Sequence, residues 1–354
     1  MSEESPCALP PEIDRVLAAY PVLTNPEVRP LSGGLINRSF ALWDAGGEYV
    51  LQRMNPIFSP RIHDNIAAVT EHLQRKGVST GRLVPTATGR HFFETGEGGR
   101  WRLLTRQPGF SFDVCASAEQ ARTAGAAVAL FHSALADLGA ELHPLGFPYH
   151  DTPLHLQQLR DALRLHRGHR LHPEVAELGE EMFRAARAWR DLSTLPRRVI
   201  HGDLKFNNVL FAGQLPPARD RALSLIDLDT LSRMPLYFDL GDAWRSWCNR
   251  RGEDEPEAEL DAELFRASAE GYLGSLSLEL GADELDSLAE GLERISLELA
   301  ARFAADALNE SYYAWDAERF ASAGEHNLVR ARGQFSLHAQ ALETREERRR
   351  FLLG

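Results

Sequence analysis

The segment VIHGDLKFNNVLF, residues 199–211, contains the residue types that phosphoryl transfer requires. His201, Asp203 and Asn208 follow the spacing HxDxxxxN directly after a short apolar run. In this chemistry a carboxylate must reach the attacking hydroxyl, and a neutral oxygen ligand must reach the metal that bridges the phosphates. The spacing therefore predicts Asp203 as the catalytic base and Asn208 as a metal ligand. The alternative is a structural turn capped by Asn208.

A second acidic motif, LSLIDLDTL, contains Asp227 and Asp229. The pattern predicts that these residues end an apolar strand with their side chains on one face. Magnesium accepts carboxylate, amide and phosphate oxygens, so Asp227 with Asn208 suffices as the protein's share of a Mg²⁺ site. Asp229 either binds a second ion or orients the ligands of the first. Asp239 and Asp242 in YFDLGD are interpreted as structural carboxylates.

Candidate phosphate contacts lie nearer the N-terminus. In LSGGLINRSF, Ser32, Gly33 and Gly34 are expected to form a turn between two strands that lets backbone amides approach phosphates closely. Such chemistry also needs a cation on the adjacent strand. In YVLQRMN, Arg53 can fill this role, with Glu71 on the following helix as its candidate ion-pair partner.

The elements that would position these residues fall into two unequal regions. Short alternating or apolar runs predict strands, and one helix over 65–75 is expected between the second and third. The predicted strands of the first region are 38–43, 49–54 and 101–106.

From residue 118 onward, amphipathic Ala- and Leu-rich periodicity predicts helices. Strand-like runs at 198–200 and 222–228 interrupt this pattern and flank the acidic motifs. The sequence thus predicts an α+β chain. It has a small β-rich N-terminal lobe with one inserted helix, residues 1–107, and a larger, mainly helical C-terminal lobe, residues 108–354.

Composition excludes several classes of function. A length of 354 residues, with 44% apolar and 25% charged residues, is that of an ordinary globular protein able to bury a cleft. The net charge of -12 argues against a nucleic-acid surface, and no apolar run is long enough for a membrane helix. Because the N-terminus does not read as a signal, a cytoplasmic location is expected. Cys7, Cys115 and Cys248 favour neither a disulfide framework nor a zinc site.

Taken together, these motifs resemble the aminoglycoside phosphotransferase and choline kinase superfamily, which shares the protein-kinase fold. Within it, the chain is most similar to the N-acetylhexosamine 1-kinases. The segments that carry this likeness are GGLIN, YVLQRMN, YHDTP, HGDLKFNN and IDLDT, with two later ones, ARFAADALNESYY and HNLVRARGQFSL.

The resemblance implies a bilobal kinase-like fold, with ATP and Mg²⁺ as cofactors. It carries over Asp203 as base and Asn208 and Asp227 as magnesium ligands. It also places the strand that ends at Gln107 beside adenine. Whether Gln52 or Arg53 contacts the phosphates stays open.

On the acceptor side, the resemblance implies that Arg302 and Tyr313 line the sugar pocket, with Asp203 facing the acceptor hydroxyl. The expected reaction moves the γ-phosphoryl group of ATP to a free sugar, an N-acetylhexosamine at its anomeric hydroxyl. An aminoglycoside, amino alcohol or other metabolite is the alternative acceptor, and a nucleotide-binding pseudokinase is a third interpretation. The use of GTP, the number of metal ions and the choice between monomer and dimer stay open.

Overall fold

A computed structural model of the chain describes residues 9–31, 37–96 and 98–354. The N-terminal region of this part is built on an antiparallel sheet of six strands in the order β1-β2-β3-β6-β4, with β5 also pairing with β6. The strands are β1 Glu27–Pro30, β2 Arg38–Asp44, β3 Gly47–Met54, β4 Leu83–Val84, β5 Phe93–Glu94 and β6 Arg100–Thr105. Two helices belong to this region, α1 Ile13–Ala18 and α2 Ile62–Arg75. The strands and the inserted helix expected here are confirmed.

Alternation along β3 gives the sheet two different faces. Tyr49 and Leu51 point to one face, where they pack with β2, β6 and the apolar side of α1. Gln52 lies on the other face, opposite Arg102 of β6 in the strand register. The sheet therefore presents an apolar face to α1 and a polar position to the rest of the molecule.

The C-terminal region is mainly helical, as the sequence predicts. Its helices are α3 Ala118–Ala134, α4 Thr152–Leu165, α5 His172–Arg187, α6 Tyr237–Trp247, α7 Ala262–Ser275, α8 Ala282–Asn309, α9 Ala323–Glu343 and α10 Arg345–Leu353. Two short hairpin-like pairs lie between α5 and α6, β7 with β10 and β8 with β9. These strands are β7 Arg198–Ile200, β8 Val209–Phe211, β9 Ala222–Leu225 and β10 Ser232–Met234. The α+β organisation is thus confirmed, and the boundary between residues 107 and 108 stays a prediction.

Helix α2 connects the two regions, since its apolar side belongs to the core of the C-terminal region. Ile66, Val69 and Leu73 are buried in the same cluster as residues of α3 and of the strands that follow α5. The spacing of these three residues had predicted the helix. None of the helices in the described ranges is both long and apolar enough to span a bilayer.

Close crossings of the helices depend on glycines. A Cβ on Gly125 of α3 would overlap the backbone of Ser268, and a Cβ on Gly271 of α7 would overlap the backbone of Arg122. These two glycines let α3 and α7 approach backbone to backbone. A Cβ on Gly274 of the same helix would meet nothing within 4 Å.

We expect Gly271→Ala to lower the free energy of unfolding by about 1 to 3 kcal/mol or more, because the added methyl group forces α3 and α7 apart. Gly274→Ala is the matched control on α7 and should leave stability unchanged or slightly raised. Urea denaturation followed by circular dichroism measures both. Equal stability of the two variants would contradict the crossing described here.

Candidate active site

His201 links the two polar loops that carry the predicted catalytic residues. Its Nδ1 accepts the backbone N–H of Asp203 at 3.3 Å, so Nε2 carries the ring proton and donates to the Ile226 carbonyl oxygen at 2.9 Å. Thr230 donates its hydroxyl to the His201 carbonyl at 2.8 Å. The loop after β7 is therefore joined to the loop after β9.

Asp239 holds the backbone of the first loop. Its carboxylate accepts the N–H of His201 and the N–H of Gly202, each at 2.7 Å, and also faces His132 Nε2 at 2.9 Å. Burial alone would raise the pKa of Asp239, but these partners, led by His132, hold it below its ordinary value. The interpretation of Asp239 as a structural carboxylate is confirmed.

Gly202 satisfies a steric requirement of this loop. Its φ is +90°, and a Cβ would lie 2.6 Å from the Thr230 carbonyl oxygen. A side chain would both strain this backbone and push the two loops apart. The glycine of HGD therefore allows the close approach on which the site depends.

Asp203 lies beside Lys205 and Asn208 on the first loop. Lys205 Nζ is 3.2 Å from Asp203 Oδ2. Asn208 donates its Nδ2 to the Asp203 carbonyl oxygen at 2.8 Å and to Oδ2 at 3.3 Å. Burial alone would raise the pKa of Asp203, but Lys205 and Arg245 outweigh it and keep the pKa below its ordinary value. Asp203 is therefore held as a carboxylate, and the Asn208 amide turns its nitrogen toward it.

Asp227 follows β9 in a left-handed backbone conformation, with φ 65° and ψ 62°. The predicted strand over 222–228 is wrong beyond Leu225, because this residue turns the chain and Leu228–Thr230 forms a 3₁₀ turn. Asp227 and Asp229 are consequently not alternate residues on one strand face. Asp227 is instead exposed.

The surroundings of Asp227 suit a cation. Enclosure by protein, followed by the charges of Asp229 and Asp203, raises its pKa to about 7. With the Asn208 nitrogen turned to Asp203, the oxygen of that amide is directed elsewhere. Carboxylate and amide oxygens are magnesium ligands, so Asp227 and Asn208 fit the predicted ion.

Asp229 is used differently from Asp227. It is buried and forms an ion pair with Arg102 of β6, whose NH1 lies 2.5 Å from Oδ1. Asn37 donates to Oδ2 at 2.7 Å, and Arg102 Nε donates to Gln52 Oε1 at 2.8 Å. Of the two roles left open for Asp229, this geometry favours orientation of the site over a second ion. It also connects the site to the N-terminal sheet.

Arg53 lies on the other face of β3 from Gln52. Its Nε is 3.8 Å from Glu12, while Glu71 pairs with Arg75 at 2.9 Å on the surface of α2. The predicted pair between Arg53 and Glu71 is therefore wrong, since α2 directs Glu71 to solvent. The phosphate-binding role of Arg53 stays a prediction, and strand alternation favours Gln52 as the β3 residue that faces the cleft.

The remaining predicted nucleotide contacts lie elsewhere. Gln107 follows β6 and accepts a hydrogen bond from the Ser79 hydroxyl at 2.6 Å. Ser32, Gly33 and Gly34 lie outside the described residues. The nucleotide roles of all four stay predictions.

Arg302 and Tyr313 come together at the C-terminal end of α8. The guanidinium of Arg302 lies 5.8 Å from the centre of the Tyr313 ring. Within the described ranges no carboxylate forms an ion pair with Arg302. Arg302 is also close enough to Tyr149 to influence its ionisation, as is Asp203. Both predicted pocket residues are therefore connected to the catalytic loop through Tyr149.

Asp306 holds the loop that carries Tyr313. Its carboxylate accepts the backbone N–H groups of Ser311, Tyr312 and Tyr313 at 2.9 to 3.2 Å. Asn327 of α9 donates to the same carboxylate at 3.0 Å. These hydrogen bonds fix the backbone from which the Tyr313 ring packs beneath Arg302.

Sequence reasoning missed Lys205, Arg102 and His150. Lys205 lies two residues after the predicted base, so the motif itself offered the signal. Arg102 is an arginine in a predicted strand, and its partner Asp229 is far away in sequence, so no local pattern pairs them. His150 was noticed only as part of YHDTP, without a role.

Comparison with known proteins places the chain in a family. Residues 27–275 match the model of the phosphotransferase enzyme family. The chain belongs to this family. The prediction of a phosphotransferase is thereby confirmed, and membership extends over both acidic motifs. Residues after 275, including Arg302 and Tyr313, lie beyond the match.

A curated relative is similar over a comparable span. The homoserine kinase of Sinorhizobium medicae is 28% identical over 267 residues, which cover 67% of this chain and 68% of that protein. This identity is low, so its substrate is not transferred to this member of the phosphotransferase family on sequence similarity alone.

Solved structures confirm the kinase-like fold predicted for this family member. An aminoglycoside phosphotransferase from Alicyclobacillus acidocaldarius aligns with a TM-score of 0.61 at 17% identity, covering 98% of this chain and 99% of that one. The amicoumacin kinase hAmiN, in complex with AMP-PNP, Ca²⁺ and Ami, aligns with a TM-score of 0.61 at 14% identity, covering 93% and 92%.

We expect Arg102→Met to lower the free energy of unfolding by about 3 to 5 kcal/mol, because the buried Asp229 carboxylate then loses its ion-pair partner. The double variant Arg102→Met, Asp229→Asn should recover much of this loss. Arg75→Met, which breaks the exposed pair with Glu71, is the control and should change stability little. Denaturant titration measures all three, and no recovery in the double variant would contradict the pairing.

Proposed function

We propose that this phosphotransferase is an ATP-dependent small-molecule kinase with Asp203 as its catalytic base. The observation that carries the proposal is the linked pair of loops, on which Asp203, Asn208 and Asp227 are held near one another. A base must meet the acceptor hydroxyl while oxygen ligands meet the ion on the phosphates. Two loops joined through His201 can serve both needs.

Each residue has a distinct role in this proposal. Asp203 orients the acceptor hydroxyl and takes its proton, and its depressed pKa keeps it ready as a carboxylate. Lys205 balances the charge of that carboxylate. Asn208 and Asp227 would hold Mg²⁺, which when bound would neutralise charge on the phosphate oxygens.

The nucleotide is proposed to lie against the N-terminal sheet. The turn at Ser32, Gly33 and Gly34 would face its phosphates, and Gln107 would lie beside adenine. Gln52 on the cleft side of β3, with Arg53 as the alternative, would lie near the phosphates. The cytoplasmic location expected from the sequence is part of the same proposal.

For the acceptor we propose a free sugar, an N-acetylhexosamine phosphorylated at its anomeric hydroxyl. The likeness of the segments around Tyr149, Arg302 and Tyr313 to the N-acetylhexosamine 1-kinases supports this choice. The aromatic rings offer apolar faces to a sugar ring, and Arg302 offers hydrogen-bond donors to its oxygens.

A small hydroxy amino acid is the second candidate acceptor. The curated relative is a homoserine kinase, and the Arg302 guanidinium has no ion-pair partner within the described ranges. A substrate carboxylate would satisfy such a cation. An aminoglycoside is less well supported, because a polycation would meet Arg302 unfavourably. A pseudokinase is opposed by the presence of the base and both candidate metal ligands.

We predict that the protein, given ATP and Mg²⁺, phosphorylates N-acetylhexosamines in preference to homoserine, amino alcohols and aminoglycosides. An assay coupled to ADP release, followed by mass spectrometry of the product, measures the preference and identifies the phosphorylated hydroxyl. Asp203→Asn should reduce turnover by about 100-fold or more. Asp137→Asn removes an exposed carboxylate and is the control.

Preferential turnover of homoserine would replace the sugar by the second candidate while leaving the kinase proposal intact. Turnover by Asp203→Asn equal to that of the unchanged protein would reject Asp203 as the base. Binding of ATP without phosphorylation of any acceptor would favour the pseudokinase.

We also predict that Arg302→Gln raises the KM for the acceptor by about 10-fold or more while leaving the KM for ATP unchanged, because a charged hydrogen-bonding partner is lost only on the acceptor side. Initial rates with each substrate varied in turn separate the two constants. Arg332→Gln, which alters an exposed arginine of α9, is the control. An equal rise in both KM values would argue against a place in the acceptor pocket.

A further inference from the structure

His150 lies between the catalytic loop and helix α8. It is buried, and its backbone is in the left-handed region with φ 50°, which is uncommon for a residue other than glycine. Nδ1 lies 3.2 Å from Glu298 Oε1, and Nε2 lies 3.1 Å from the Gly202 carbonyl oxygen. The residue thus bridges α8 to the peptide that precedes Asp203.

Both partners of this imidazole can only accept hydrogen bonds. A backbone carbonyl has no proton to donate, and an ionised carboxylate has none either. A neutral histidine carries one ring proton and could satisfy only one of the two. Both contacts are hydrogen bonds only when both ring nitrogens are protonated.

We propose that His150 is an imidazolium that, together with Glu298, positions the Gly202–Asp203 peptide for catalysis. It is a positioning residue, because it acts through the backbone of the catalytic loop and does not touch the reacting atoms. This inference rests on the proposed role of Asp203 as base.

The electrostatic surroundings support the charged form. Burial alone would lower the pKa of His150, but the hydrogen bond and charge of Glu298, followed by the charge of Asp242 on α6, raise it above its ordinary value. Glu298 itself has a pKa below its ordinary value despite burial, through the same hydrogen bond. Thr152 donates to the other oxygen of Glu298 at 2.6 Å.

The other neighbours of His150 complete this environment. The Phe238 ring of α6 stacks on the imidazole with ring centres 5.0 Å apart, and Tyr149 contacts it from the same segment at 4.2 Å. Arg302, one turn after Glu298 on α8, is the cation on that side, and its charge also reaches Tyr149. Two carboxylates and two aromatic rings therefore surround the imidazolium, with Arg302 beyond them.

The bridge fixes one peptide group from both sides. The Gly202 carbonyl accepts hydrogen bonds from His150 and from the Tyr149 hydroxyl, while the Gly202 N–H is held by Asp239. Since the pKa of His150 is raised, the bridge is complete below its ordinary range and is lost as pH rises through the raised value. Loss of the ring proton would free the peptide next to the base and lower turnover.

The test is Glu298→Gln, which keeps the shape of the side chain and removes its charge. We expect the pKa of His150 to fall, and the alkaline loss of kcat to move to lower pH with it. Nitrogen NMR of histidine-labelled protein without substrates measures the pKa, with the signal assigned by its absence in His150→Phe. The pH profile of kcat is measured with the acceptor that the substrate panel identifies.

Glu290→Gln is the matched control, because it removes another α8 carboxylate whose partners are Arg190 and Arg294. It should leave the His150 signal and the pH profile unchanged. His150→Phe keeps the stacking ring but removes both donors, and should lower kcat on the order of 10- to 100-fold with the KM for ATP unchanged.

An ordinary His150 pKa that Glu298→Gln does not lower would overturn the proposal. An unchanged alkaline limb in Glu298→Gln, alongside a lowered His150 pKa, would also overturn it, because positioning would then not depend on the charge. A raised pKa that falls in Glu298→Gln supports the bridge even if no acceptor is phosphorylated, which separates its failure from that of the proposed function.

Discussion

The hydrogen bond from His201 Nε2 to the Ile226 carbonyl is the interaction on which the site depends. It joins the loop after β7 to the loop after β9, and it is reinforced by the Ile226 N–H, which donates to the Asn208 carbonyl at 3.0 Å. Without this junction Asp203 and Asn208 would have no fixed relation to Asp227. The glycine before Asp203 is required for the same reason, since a Cβ there would collide with Thr230.

The junction concentrates carboxylates, and the fold compensates for most of them. Asp239 is satisfied by backbone amides and His132, Asp229 by Arg102 and Asn37, and Asp242 by Arg245 at 2.8 Å. Asp203 is balanced by Lys205. Asp227 has no comparable cation against it and has a raised pKa. The uneven compensation marks the position at which a metal ion would contribute most.

The sequence allowed the fold class and the motif residues to be predicted, because HxDxxxxN and the acidic motif are local patterns next to short apolar strands. It failed where backbone conformation or distant contacts decide the outcome. The left-handed turn at Asp227 could not be inferred from an apolar run that reads as a strand. The pairs Arg102 with Asp229 and His150 with Glu298 join residues more than a hundred positions apart. Their alignment depends on strand register and helix packing rather than on spacing.

The central claim is that the two joined loops hold one metal ion against a phosphoryl donor, with Asp203 facing the acceptor. A crystal structure of the protein with Mg²⁺ and a non-hydrolysable ATP analogue tests it most directly. The account predicts an ion bound by the oxygens of Asn208 and Asp227, with the terminal phosphate between that ion and Asp203. An ion bound by other residues, or a terminal phosphate directed away from Asp203, would contradict it.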